Sequence, residues 1–274
     1  MIIWLASYPK SGNTLLRSML TAYFFSKEGI YDDFKLIKNI RQFPHGGLFQ
    51  KLGIDIRNQE ETIKSYIKVQ DIINKKDSVQ FFKTHSYFFN FNNLFPFTNF
   101  KNTLGAIYIV RDPRNIVTSF AKFKALSIED SAKFLIEGKG DGLTWTNTWN
   151  ENYKSWKILI EHKKYLLIKF EDLIKDPEII FLKILKFIFN LKKTKFLLDE
   201  AKFKNTIRTT SFDYLKNLEK KQGFTEASKD PKTGEAIPFF NLGPENDWKR
   251  LLDNKIKKKI EISFEKEMIE LGYL

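Results

Sequence analysis

Two hydrophobic periods take turns along this chain. Ile2-Ile3-Trp4-Leu5-Ala6 is a continuous apolar run, β-branched and aromatic, closed by Ser7-Tyr8-Pro9, and it reads as a short buried strand. Val79–Lys83, Leu104–Val110 and Tyr165–Phe170 carry the same signature. Between them the period changes. From Asn13 to Phe25, residues Leu16, Met19, Leu20, Tyr23 and Phe24 share one helical face, and Ile63, Tyr66, Ile67 and Ile73 do so within Glu60–Asn74. Asp112 and Pro113 supply an N-cap and a first-turn proline for a helix over Asn115–Phe123. Ser127–Asp130 caps the next, Ala132–Ile136, which Gly138 stops. Trp145, Trp149, Tyr153 and Trp156 fall on one stripe of a further helix, a stripe expected in the core. Asp176-Pro177 opens another helix to about Asn190, and Asp253–Leu271 predicts the last.

Strands separated by helices predict a parallel sheet covered on both faces. Residues 26–58 show no strong period, and Lys220–Pro238, rich in Lys, Gly, Asp and Pro, reads as a mobile surface loop. No repeat or linker-like stretch divides the chain, so a single domain over 1–274 is expected.

Composition narrows the chemistry. With no cysteine among 274 residues, a disulfide scaffold, a thiol nucleophile and thiolate metal sites are excluded. Three histidines (His45, His85 and His162) leave little for an imidazole zinc site, and no metal is implied. The opening residues do not read as a signal peptide, and no apolar run approaches the ~18–20 residues that would span a bilayer. A soluble, cytoplasmic, globular protein is expected. The net charge of +13 is carried mainly by dispersed lysines, with only seven arginines. Base readers favour arginine, so the excess reads as solvated surface and no nucleic-acid partner is expected.

One loop stands out. Ala6-Ser7-Tyr8-Pro9-Lys10-Ser11-Gly12-Asn13-Thr14 lies between a predicted strand and a predicted helix. In that setting, backbone N–H groups converge at the helix start and the helix dipole adds partial positive charge, which makes an anion site. The Walker pattern G-x-x-x-x-G-K-[ST] is not met: Lys10 precedes Gly12, and Asn13 stands where a Walker lysine would be. A lysine inside the loop suits a bridging oxygen between a transferred group and its leaving phosphate.

Tyr8-Pro9-Lys10-Ser11-Gly12-Asn13-Thr14 resembles the 5′-phosphosulfate loop of the sulfotransferases that use 3′-phosphoadenosine 5′-phosphosulfate (PAPS). Three more segments resemble the same family in the same order. They are Lys83-Thr84-His85, the run Tyr108–Ser119 containing Arg111-Asp112-Pro113-Arg114, and Phe170-Glu171-Asp172-Leu173 with Asp176-Pro177. The resemblance covers roughly residues 1–250. It implies a P-loop NTPase-like, three-layer α/β/α fold with a central parallel sheet of about five strands, and transfer of a sulfuryl group from PAPS to a hydroxyl or amine of an acceptor by in-line displacement. By the same resemblance Lys10, Lys83 and His85 are catalytic, with His85 as the base. Ser11, Gly12, Asn13 and Thr14 would hold the 5′ end, Leu15 would make an apolar contact with the adenine, and Arg111 and Ser119 would hold the 3′-phosphate. Phe170, Ser211 and Phe212 would also belong to the donor site, Phe212 against the adenine.

Two segments depart from the family pattern. Leu15 stands where the family usually has a tryptophan, which weakens a ring stack to an apolar contact. In Phe239–Lys249, which resembles the family's glycine-containing loop, Asn241 and Leu242 replace an Arg-Lys pair ahead of Gly243, and Arg208 or Lys249 would have to make up the charge. The acceptor is expected to be a small molecule, a saccharide or a lipid; the sequence assigns neither it nor an oligomeric state. Other readings remain: a P-loop-type nucleotide kinase, or a homologue that binds the nucleotide without turning it over.

Overall fold

A computed structural model describes residues 1–75, 78–138 and 143–274. These divide into two compact units, each woven from three stretches of chain: Met1–Tyr8, Ile40–Val110 and Gly138–Phe196 form the first, and Pro9–Asn39, Arg111–Glu137 and Leu197–Leu274 the second.

The first unit holds the sheet. Its strands are β1 (Ile2–Ala6), β2 (Arg41–Gln42), β3 (Gln80–Thr84), β6 (Thr103–Val110) and β7 (Tyr165–Lys169), and a small antiparallel pair, β4 (Asn90–Phe91) and β5 (Phe95–Pro96), lies apart. The five strands run parallel in the order β2-β3-β1-β6-β7. The four strands read from the apolar runs are all present within a residue or so of their expected ends. The fifth, β2, has only two residues, too few for any run to announce it.

Alternation along the strands sends successive side chains to opposite faces. Trp4 and Tyr108 point to one face, where Trp4 lies 6.4 Å from Trp156 and Tyr108 lies 5.8 Å from Tyr153, both borne by the helical segment Trp149–Leu159. Gly105 faces the other way; a Cβ there would come within 2.5 Å of a Leu191 methyl at the end of helix Pro177–Leu191. Helices therefore cover both faces, giving the expected three layers within this unit. Trp4, fully buried, also packs its ring at 5.1–6.2 Å from Phe43, Phe82 and Phe97. Burying a side chain of this size stabilises by roughly 1.5–3 kcal/mol.

Three expectations for the helices need correction. The helix on the tryptophan stripe begins only at Trp149, because Thr148 caps it and Asn147 turns the chain at a φ of 59°. Trp145 therefore lies outside it, although Trp149, Tyr153 and Trp156 are core residues as expected. Glu60–Asn74 is two helices, Gln59–Lys64 and Tyr66–Ile73. Phe170 starts a short helix, Phe170–Lys175, rather than ending β7.

The second unit is helical. Asn13–Phe25, Pro113–Lys124, Ile128–Glu137, Glu200–Thr209, Phe212–Gln222 and Asn254–Glu270 are its longer helices. Lys220–Gln222 thus belongs to a helix, and the irregular segment starts at Gly223. That segment is anchored: Phe224 is buried in a cluster with Tyr31, Phe34, Leu215 and Phe240, and Glu226 pairs at 2.7 Å with the buried guanidinium of Arg17. Arg114, 4% exposed, ties the end of the chain down through Asp112 at 2.7 Å, Glu261 at 2.6 Å and the carbonyl of Tyr273 at 2.8 Å.

Candidate functional site

In the first unit the site residues follow from strand register. Ala6 lies opposite Thr84, so Ser7 and His85 step off adjacent parallel strands side by side. The imidazole Nδ1 of His85 lies 2.9 Å from the Ser7 carbonyl oxygen and 3.1 Å from Ser7 Oγ. A carbonyl oxygen can only accept, so Nδ1 carries the proton and Nε2 is the proton-accepting nitrogen. The His85 backbone is fixed as well, its carbonyl accepting a 2.9 Å bond from Asn152 Nδ2. Asn152, fully buried, also donates to the Thr146 carbonyl at 2.7 Å and accepts from the Tyr108 hydroxyl at 2.8 Å. Burial pushes the Tyr108 phenol well above its ordinary value, so it stays protonated and able to donate.

Lys83, two residues earlier on β3, is half-buried, and its carbonyl accepts from Phe43 N–H at 2.9 Å. Phe170 belongs to this unit too. Sequence reasoning missed Ser7 and Asn152 as supports. Asn152 had a signal: it falls on the same helical stripe as Trp149, Tyr153 and Trp156, a polar residue on a wholly apolar face.

The remaining site residues lie in the second unit, which the chain enters at Pro9. Lys10 takes a φ of 65° and Gly12 a φ of 98°, so the chain turns tightly ahead of helix Asn13–Phe25. The left-handed region suits Gly12 and strains Lys10, a cost of order 1–3 kcal/mol that the surroundings must offset. Part of that support is Arg111, whose Nη1 donates to the Lys10 carbonyl at 3.1 Å. The Lys10 ammonium lies 4.1 Å from the ring centroid of Phe123 and 4.1 Å from that of Phe239. Ser11 is fully buried, and its hydroxyl has no hydrogen-bond partner among the described residues. Asn13 and Thr14, both buried, open the helix. An unpartnered hydroxyl in a tight turn at a helix start fits an oxyanion acceptor that completes it.

Around this loop, Leu15 and Phe212 pack against the Tyr31–Phe34–Phe240 cluster. Ser211 caps helix Phe212–Gln222, and the Phe212 ring lies so close to Gly243 that a Cβ there would come within 2.3 Å of it. Gly243, at a φ of 51°, is the position where only a glycine lets the ring approach the backbone. Arg111 is buried and Ser119 half-buried on helix Pro113–Lys124; Asn241 and Leu242 are half-buried. Of the two cations named above as substitutes for the Arg-Lys pair, Arg208 bonds Asn205 at 3.2 Å and Lys249 lies 5.8 Å from the Trp248 ring centroid. Among the described residues, no group of three or more His, Cys, Asp or Glu could hold a metal ion, and no helix is long and apolar enough to cross a membrane.

Comparison with known proteins matches residues 2–272 to the model of the sulfotransferase domain. A flavonol 3-sulfotransferase of Flaveria bidentis is 24% identical over 269 residues, covering 94% of this chain and 79% of the relative. A 3-beta-hydroxysteroid sulfotransferase of Cavia porcellus is 25% identical over 165 residues, 57% of this chain and 53% of the relative. Among solved structures, mouse sulfotransferase SULT7A1 complexed with PAP superposes with a TM-score of 0.61 at 20% identity, covering 97% of this chain and 83% of that one; it shows a shared fold.

Proposed function

The chain belongs to the sulfotransferase family, and from that premise we propose that its residues transfer a sulfuryl group from PAPS to the hydroxyl of a small organic acceptor by in-line displacement, both units serving one catalytic domain. The donor, when bound, supplies an activated S–O bond whose cleavage leaves adenosine 3′,5′-bisphosphate. His85 Nε2 removes the acceptor proton as the acceptor oxygen bonds to sulfur. Lys10 Nζ offsets the charge gathering on the phosphate oxygen as the S–O bond breaks. Lys83 adds positive charge at the transferred group. Ser11, Gly12, Asn13 and Thr14 hold the 5′ end through loop and helix N–H groups and the Ser11 hydroxyl. Arg111 and Ser119 take the 3′-phosphate, while Leu15, Phe170, Ser211 and Phe212 complete the nucleoside site, with the Gly243 N–H beside Phe212.

The observation that carries this reading is the contact of His85 Nδ1 with the Ser7 carbonyl oxygen, which favours the tautomer protonated at Nδ1. With Nδ1–H committed to the Ser7 carbonyl at 2.9 Å, the ring presents Nε2 as a base, as acceptor activation requires. The acceptor class is a phenol or alcohol of the flavonol and steroid kind, since enzymes acting on these are the relatives whose sequences align; saccharides and longer lipids are the competing classes. The test is transfer of labelled sulfate from PAPS to a panel holding a flavonol, a hydroxysteroid, a simple phenol, a saccharide and a fatty alcohol. Transfer to the phenolic or steroidal members is expected. Transfer confined to the saccharide would overturn the acceptor class, and bisphosphate binding without transfer to any member would favour a binding protein.

A further inference from the structure

The ammonium of Lys10 is held by aromatic faces on two sides. Phe123 supplies one from helix Pro113–Lys124 and Phe239 the other from the irregular segment after Gly223, each with its centroid 4.1 Å from Nζ, and the two rings are 6.0 Å apart. Distances this short give the attraction of a cation to the negative ring face close to its full strength. The second wall is itself fixed. Glu219 accepts the N–H of Phe239 at 2.7 Å on one carboxylate oxygen and the N–H of Phe240 at 2.9 Å on the other. The Phe239 ring meets the rings of Phe224 at 5.0 Å and Phe240 at 5.2 Å. A lysine stem is flexible and loses much rotamer freedom when its charge must sit at one point. Walls built from two separate segments remove that freedom beforehand. A ring face attracts the ammonium charge through its quadrupole, and the ammonium carries three N–H donors, so contact with the rings is compatible with donation to an anion.

We infer that Phe123 and Phe239 are positioning residues that hold the Lys10 ammonium in place for the leaving phosphate, with Glu219 fixing the Phe239 wall. The segment around Asn241 and Leu242 thereby serves the donor site through a ring rather than through the missing cations. This rests on the assignment of Lys10 to the leaving phosphate, and the experiment separates the two. Calorimetry with adenosine 3′,5′-bisphosphate is run on the full chain, on Phe239→Leu, on Phe239→Tyr, and on a series carrying one, two and three ring fluorines at Phe239. Fluorine drains the ring face of negative charge with little change of shape, so folding is preserved. Phe239→Leu is expected to weaken binding about 3- to 30-fold, the range of a desolvated cation–ring contact. Phe239→Tyr is expected to restore binding, and the fluorine series to weaken it stepwise.

In a Lys10→Met background Phe239→Leu is expected to cause no further loss. A flat fluorine series, tighter binding without the ring, or an equal loss in the Lys10→Met background would overturn the inference. If Lys10→Met binds the bisphosphate as tightly as the unaltered chain, the assignment of Lys10 itself fails, and this inference with it.

Discussion

The imidazole of His85 sits among directional hydrogen bonds, whereas the ammonium of Lys10 sits between two ring faces. Around His85, the Ser7 carbonyl sets the tautomer and Asn152 holds the backbone, itself bonded to Thr146 and Tyr108. Around Lys10 the backbone is held by Arg111, and the charge by Phe123 and Phe239. The difference follows from the work proposed for each. A base must present one chosen nitrogen, which only a bond of fixed direction can arrange. A cation that offsets developing charge needs position more than orientation, and non-directional ring contacts provide it.

That contrast can be broken at several points. The largest effect is expected from His85→Gln, a loss of about 10²–10⁴ in kcat, the usual contribution of a positioned base. Sulfate-transfer kinetics check it, and unchanged turnover would remove His85 from the mechanism. Lys10→Met is expected to cost about 10²–10³ in kcat, comparable with losing one preorganised donor to developing charge, in a protein that is still folded by circular dichroism; full activity would contradict the loop assignment. Asn152→Ala removes a buried hub and with it one hydrogen bond each from the Tyr108 hydroxyl, the Thr146 carbonyl and the His85 carbonyl. A loss of about 1–3 kcal/mol in stability is expected by denaturant titration, together with a fall in kcat, and a variant as stable as the parent would show the hub to be dispensable. The smallest effect belongs to Ser7→Ala. The carbonyl that fixes the tautomer survives that change, so kcat should stay within about twofold. A hundredfold loss would mean that the hydroxyl, not the carbonyl, orients the ring.

Much of this was legible in the residues because it rests on long or continuous patterns. Ile2–Ala6 and Leu104–Val110 are unbroken apolar runs, and both are central strands of the sheet. The loop around Lys10 could be placed because strand and helix signals flank it. Helix Glu200–Thr209 was invisible for a physical reason: Thr206 and Thr209 are fully buried there, Thr206 Oγ1 donating to the Gly29 carbonyl and Thr209 Oγ1 accepting from Tyr31 N–H. Buried threonines replace the apolar residues that would have shown the period. Phe212–Gln222 has only Leu215 and Leu218 buried, too sparse a stripe to read. The supports of the site depend on pairings far apart in sequence: Ser7 with His85, and Lys10 with Phe123 and Phe239. Spacing along a chain cannot reveal partners that strand register and long-range packing create. Asn152 was the exception, a polar residue on an apolar stripe.

The account assigns Lys10 to the leaving nucleotide and His85 to the acceptor, and a single calorimetric comparison tests that division without knowledge of the acceptor. Adenosine 3′,5′-bisphosphate is titrated into the unaltered chain, Lys10→Met and His85→Gln. A loss of about tenfold or more is expected for Lys10→Met, as for removal of a charge-assisted bond, with His85→Gln unchanged; equal weakening in both variants, or none in either, would contradict it.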